Sequence, residues 1–97
     1  MMTYRFASRA RRELLEIWQG IAADNERAAD RFVDLWMHQF ELLGSYPRAG
    51  RRRDELRRGT RSFPIGKYLI FYRIKKPGVW IMHVVHGRRD PEALFRR

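Results

Sequence analysis

The sequence predicts an α+β fold, a pair of amphipathic helices laid across one face of a twisted, mainly antiparallel sheet, in a single domain spanning residues 1–97. Three observations carry this. Apolar residues recur at helical spacing through the first half, strand-length apolar runs fill the second half, and Pro47, Pro64 and Pro77 punctuate the loop and turns from residue 45 onward.

Thr3-Tyr4-Arg5-Phe6-Ala7 alternates polar and apolar residues and reads as a first strand. Ser8 follows as a helix N-cap, and Leu14, Ile17, Trp18 and Ile21 then fall at i, i+3, i+4 and i+7, one face of a helix ending near Ala22 or Ala23. Asp24-Asn25 breaks and recaps the chain. Ala29, Phe32, Val33, Trp36, Phe40 and Leu43 repeat at the same period up to Gly44, which is placed as a C′ residue. The short connection makes the two helices an antiparallel hairpin. Ser45 to Arg53 carries Pro47, Gly50 and four arginines and reads as an exposed loop.

Arg58 to Phe63 is the next predicted strand, with Gly59 as a bulge and a turn at Pro64-Ile65-Gly66. Lys67 to Lys75 is the following one, Lys76-Pro77-Gly78 a hairpin turn, and Val79 to His86 the last, giving the order β-α-α-β-β-β. Asp90 and Pro91 then occupy the cap and first position of a short C-terminal helix. Strand periodicity puts Tyr68, Ile70, Tyr72 and Ile74 on one side and Leu69, Phe71 and Arg73 on the other, so both faces are largely apolar and the second calls for cover.

Composition removes several function classes. The chain has no Cys, which excludes disulfides and thiol chemistry and suits a reducing compartment. With neither an apolar leader nor a run of the roughly 20 apolar residues that a membrane span needs, the expectation is a soluble, untargeted, cytoplasmic protein. His83 and His86 stand three apart on a strand and point to opposite faces, and His38 sits on a helix, so no metal site and no cofactor are expected. Neither a nucleophile elbow nor a phosphate-cradling glycine loop is present.

Charge is the strongest functional signal. Residues 1–44 hold six Arg and seven acids, net −1, whereas residues 45–97 hold fifteen Lys or Arg and four acids, net +11. A surface of this kind attracts polyanions or an acidic partner, and 18 of the 21 cations are Arg, the side chain suited to bidentate contact with phosphate or carboxylate. RNA cleavage would need only a proton acceptor, a proton donor and cations, roles that His83, His86, Arg73 and Arg61 could fill.

The element order, the segment Ala29-Asp30-Arg31-Phe32 leading to Leu43, Pro47 and Gly50, the strand Tyr68 to Arg73, and above all Ile81-Met82-His83-Val84-Val85-His86-Gly87-Arg88-Arg89-Asp90 resemble the RelE/ParE toxins of type II toxin-antitoxin systems. The similarity spans nearly the whole chain, and the closing His86 to Asp90 run resembles the ParE branch. That resemblance implies a RelE/ParE-like fold and a noncatalytic inhibitor of DNA gyrase that blocks replication until an antitoxin neutralises it, with Arg57, Arg58, Arg61, His86, Arg88 and Arg89 as target-binding candidates. RelE-like members instead cut mRNA on the ribosome. Those nucleases carry a Tyr or His in the C-terminal tail, whereas here the tail after Arg89 offers Phe95. The ribonuclease therefore stands as the alternative activity, and a decayed toxin that retains only antitoxin binding as a third. The implied partner is a ParD-like antitoxin with an acidic amphipathic tail, forming a hetero-oligomer. An apolar groove beside Leu14, Trp18, Phe32 and Trp36, together with Arg73 and a free strand edge, is its expected seat.

Overall fold

The computed structural model describes residues 3–95. Its elements are β1 (Tyr4–Phe6), α1 (Ser8–Asp24), α2 (Glu26–Ser45), a 3-10 turn (Pro47–Ala49), β2 (Arg51–Arg52), β3 (Thr60–Ile65), β4 (Tyr68–Lys75), β5 (Gly78–His86) and α3 (Pro91–Phe95). The sheet order is β1-β5-β4-β3-β2, all antiparallel except the β1–β5 pair.

The predicted α+β architecture is present with one strand more than expected. Arg51–Arg52 pairs with Arg61 and Ser62 as β2. Two consecutive arginines show no alternation, so nothing in the sequence marks them as a strand. Smaller differences have local causes. Ala7, rather than Ser8, is the residue before α1, because its N–H is still bonded to the Ile81 carbonyl while its own carbonyl already accepts from Arg11. Strand passes to helix without a free position for a side-chain cap. Asn25 serves both helices: its N–H closes α1 on Ile21, and its side chain accepts from the Ala28 N–H to open α2.

Gly44 does not end α2. The helix runs on through Ser45, and Gly44 is buried where a Cβ would collide with Thr3 at the start of β1. Gly59 lies outside β3, at φ +85°, in the turn that feeds it. Pro64 and Ile65, expected in a turn, belong to β3, and the reversal occurs at Gly66, also at positive φ.

One face of the sheet is closed by the helical hairpin. Trp36, Phe40 and Leu43 of α2 meet Ile65, Ile70, Tyr72, Val79, Ile81 and Val84 of the sheet, all buried. Aromatic rings run through this layer, with centroids of Phe32 and Trp36 4.5 Å apart, Trp36 and Tyr68 5.2 Å, and Phe6 and Phe40 5.2 Å. Such pairs add about 0.5–1.5 kcal/mol each beyond the area they bury.

A register shift between Phe71 and Tyr72 makes Met82 the extra residue of β5, so Phe71 pairs with His83 and Tyr72 with Ile81. Phe71 and His83 therefore share the second face. Phe95 of α3 lies edge-on to both, at 5.5 Å and 5.3 Å, and the Arg53 guanidinium sits 5.7 Å from the centre of the Phe71 ring. The apolar second face thus has its cover, though a thin one.

Both sheet edges are managed. β1 covers β5 only as far as Ile81, and beyond it the Val84 N–H donates to Glu13 of α1 at 2.9 Å. A carboxylate replaces the missing strand neighbour. On the other side Thr60 accepts from the Arg53 N–H and Ser62 pairs with Arg51, so alternate β3 residues face outward. Pro64 occupies the next outward position and has no N–H to offer. An added strand would lack a donor there.

Candidate functional site

Four of the arginines named from sequence fall into two groups at opposite ends of the sheet. Arg57 and Arg58 lie in the turn before β3, a turn closed by the Asp54 carboxylate, which accepts from the Gly59 N–H at 2.9 Å and from Arg52 at 2.9 Å. Those two bonds, the Gly59 N–H first, hold the Asp54 carboxyl below its ordinary range. Arg53 pairs with Glu55 at 2.8 Å. Both carboxylates near the loop are thus engaged with Arg52 and Arg53, and Arg57 and Arg58 project as exposed cations.

Arg88 and Arg89 follow β5 at the far end, next to His86 and Lys67. His86 Nδ1 accepts from the Arg88 N–H at 3.1 Å, and the Arg89 N–H donates to the His86 carbonyl. The histidine side chain fixes the turn that presents the two arginines. Its ring stands 5.7 Å from that of Tyr68. Because β4 pairs with β3 from Tyr68 to Arg73 and with β5 along its whole length, the two arginine groups are separated by roughly 20 Å, at about 3.3 Å per residue.

Arg61 belongs to neither group. It pairs with Tyr72, on the helix side of the sheet, and its guanidinium donates to the carbonyls of Gly50 at 2.8 Å and Arg48 at 3.3 Å. The Tyr72 hydroxyl completes this knot, donating to the Pro47 carbonyl and accepting from the Gly50 N–H. Burial pushes the Tyr72 hydroxyl upward, a shift that the Gly50 N–H and Arg61 partly oppose. Arg61 holds the 47–50 segment against the sheet.

The ribonuclease candidates are dispersed. Arg73 and His83 share the second face, but Arg73 donates to the Arg58 carbonyl, and His83 is buried beneath Phe95 with Nδ1 3.4 Å from Glu13. Arg61 and His86 lie on the opposite side and at opposite ends of the strands. The four do not converge on a point where one phosphodiester could sit. Among the described residues no three His, Asp or Glu side chains cluster as metal ligands, and no helix is long and apolar enough to cross a membrane.

The expected apolar groove is distributed differently. Trp36 is 2% exposed and sits in the core, with Leu14 and Phe32 packed against the same cluster and Trp18 half-buried. Arg73 is on the other side of the sheet from all of them. Among the described residues the large apolar side chains that do reach the surface are Leu15, Leu35, Leu42, Tyr46 and Ile74, none of them expected from sequence to form a binding site. The available signal was the spacing of Leu35, Leu42 and Tyr46, seven and then four residues apart, off the face that carries the core.

With the fold and these groups in place, comparison with known proteins decides the family. The profile of the family described as the ParE toxin of type II toxin-antitoxin system, parDE, matches residues 4–91. The chain belongs to the ParE toxin family. Among individual relatives it is 37% identical over 54 residues to Toxin ParE3 of Caulobacter vibrioides, covering 56% of this chain and 54% of that one. It is 32% identical over 63 residues to Toxin ParE1 of Mycobacterium tuberculosis, covering 64% of each. The matches thus span between about half and two thirds of these relatives' lengths. A solved structure titled as the chromosomal ParDE TA system from P. aeruginosa superposes with a TM-score of 0.71 at 18% identity, covering 89% of this chain and 96% of that one. That likeness establishes a common ParE-type fold.

Proposed function

We propose that this ParE-family chain is the toxin of a type II toxin-antitoxin pair and inhibits DNA gyrase by noncatalytic contacts, with Arg57 and Arg58 at one end of the sheet and Arg88 and Arg89 at the other. The observation that carries the reading is the scatter of His83, His86, Arg73 and Arg61. An acid–base pair working on RNA must lie within hydrogen-bond reach of one phosphodiester, directly or through one water. Here one histidine is buried against Glu13 and Phe95, and the other fixes a turn. What stays exposed is charge. Two arginine pairs roughly 20 Å apart suit a broad anionic surface, such as a protein–DNA assembly, better than a small substrate.

The test is supercoiling by purified gyrase in the presence of the chain, together with labelled-precursor incorporation in cells expressing it. DNA synthesis is expected to stop first. Arg88→Glu with Arg89→Glu, and separately Arg57→Glu with Arg58→Glu, should each abolish inhibition while leaving the circular dichroism spectrum unchanged. Collapse of protein synthesis ahead of DNA synthesis, with codon-phased mRNA cuts, would replace this reading with the ribonuclease. Unaffected growth would replace it with a chain that keeps only antitoxin binding.

A further inference from the structure

The second face of the sheet carries another aromatic position besides Phe71. Trp80 alternates along β5 with Val79 and Ile81, both in the core, so its side chain points away from the helices. Its register partners are Arg5 of β1 and Arg73 of β4. Arg5 alternates with Tyr4 and Phe6, which pack against the core, and so stands on the same face as Trp80. Lys75 lies two residues beyond Arg73 and holds its ammonium 4.6 Å from the centre of the Trp80 ring. From β3 to β1 this row crosses three strand spacings, about 14 Å at about 4.8 Å each. At its β3 end Arg73 donates to the Arg58 carbonyl at 2.8 Å, so the row leads on toward exposed Arg57 and Arg58.

Trp80 and Phe71 are covered differently. Phe71 is shut from water beneath the Phe95 ring and the Arg53 guanidinium. Trp80 stays half-buried, and what lies over it is an ammonium on a flexible four-carbon stem. A cleft of about 760 Å³ opens here, with Arg5, Lys75, Lys76 and Trp80 in its lining and no acidic residue among the residues that form it. Its occupant must offer negative charge at several points and a flat face for the indole. An acidic peptide supplies the first and not the second. A nucleic acid strand supplies both in each repeat, and it must be single, because the faces of paired bases are taken up by their neighbours in the stack.

We propose that Trp80, with Arg5, Arg73 and Lys75 around it, is a stacking site for single-stranded DNA. One base lies on the indole in place of the Lys75 ammonium, and the phosphates on either side pair with Arg5 and with the released Lys75. Arg73, anchored on the Arg58 carbonyl, lies where the strand passes toward Arg57 and Arg58. This contact needs no second protein and so goes beyond the gyrase reading, from which it takes only the choice of DNA over RNA.

The experiment measures fluorescence anisotropy of a labelled oligo(dT) of about twelve nucleotides, a length within the usual single-strand site size, with the full-length chain over a range of salt. A strand of the same length without bases and an oligo(rU) are measured beside it. The oligo(dT) is expected to bind more tightly than either. Trp80→Ala should weaken oligo(dT) binding about tenfold, the loss typical of one stacked base, and leave binding of the baseless strand unchanged. Trp80→Phe should restore most of the loss. Arg5→Gln and Lys75→Gln should each lower the slope of log affinity against log salt by about 0.7, the increment of one phosphate contact on a single strand. Arg31→Gln, which removes a charge from the helical side, should leave that slope unchanged. Should Trp80→Ala fail to fold, the slopes of the two charge variants and the baseless strand decide the matter. Equal binding of oligo(dT) and the baseless strand overturns the proposal, as does an unchanged slope in Arg5→Gln and Lys75→Gln. Displacement of both strands alike by polyglutamate would assign the cleft to an acidic protein, and tighter binding of oligo(rU) would assign it to RNA; either overturns the proposal. If oligo(dT) binds as expected while supercoiling by gyrase is unaffected, the gyrase reading falls and the stacking site stands. Inhibited gyrase with no oligo(dT) binding gives the reverse.

Discussion

The two faces of the sheet are built on different terms. On the inner face, α1 and α2 bury a layer of rings and aliphatic side chains in which Trp36, Phe40, Ile70, Tyr72 and Ile81 are almost wholly excluded from water. On the outer face, Phe71 is equally inaccessible and His83 nearly so, but their cover is the Phe95 ring, the Arg53 guanidinium and the Glu13 carboxylate. Burial alone does not separate the two. What differs is how many groups must move before water enters: a helical layer on one side, a five-residue helix and one arginine on the other. The inner face sets global stability, and the outer face can open locally at far smaller cost.

The largest test of this contrast is Trp36→Ala. It removes a ring that contacts Phe32, Phe40 and Tyr68, and it should cost about 3–5 kcal/mol in urea unfolding. A domain of this size has only about 5–15 kcal/mol to lose, so the variant is expected to be partly unfolded at 37 °C. Phe95→Ala is the matching change on the outer face. Because Phe95 is only half-buried, it should cost about 1 kcal/mol globally, with the NMR relaxation induced by a soluble paramagnetic probe accelerating at the side chains of Phe71 and His83 and not at those of Ile70 or Ile81. Equal acceleration on both faces would erase the distinction.

The smallest effect concerns the turn that carries Arg57 and Arg58. The Asp54 carboxyl is held below its usual 3.8 by the Gly59 N–H and by Arg52. A depressed folded value means that the bond supports the turn above about pH 4 and is lost as pH falls through the folded value. The Gly59 amide resonance should titrate with a midpoint below 3.8 and stop titrating in Asp54→Asn. A midpoint at or above 3.8 would show that the turn is not closed through this carboxylate.

Much of the inner face was legible in the sequence because periodicity records burial directly. The helical repeat from Ala29 to Leu43 and the apolar run of β4 are consequences of having one or both sides in the core. The outer face and the edges left weaker traces. Arg51–Arg52 is a strand only because Ser62 and Arg61 lie beside it, and Glu13 is an edge cap only because β1 stops three residues short of Val84. Arg61 shows the same limit for function. Within an arginine-rich stretch it looks like surface charge, yet its position opposite Tyr72 turns it toward two backbone carbonyls. The family and the arginine pairs followed from local sequence. The separation of those pairs, and the exposure of Leu42 and Tyr46 rather than Trp36, depend on which strands are neighbours.

The parallel pairing of β1 with β5 has a consequence for how the chain is made. Tyr4 meets Val79, so a strand translated among the first residues waits for one translated near the last. At about 5–20 residues per second that wait is on the order of 4–15 s, during which the helical hairpin has emerged but the sheet beneath it has not closed. The Arg88–Arg89 turn follows β5 and is completed with it, whereas the Arg57–Arg58 turn is closed by contacts within residues 52–60 and is free to form earlier. The outer stripe of the second helix, by contrast, is exposed from the moment the hairpin forms.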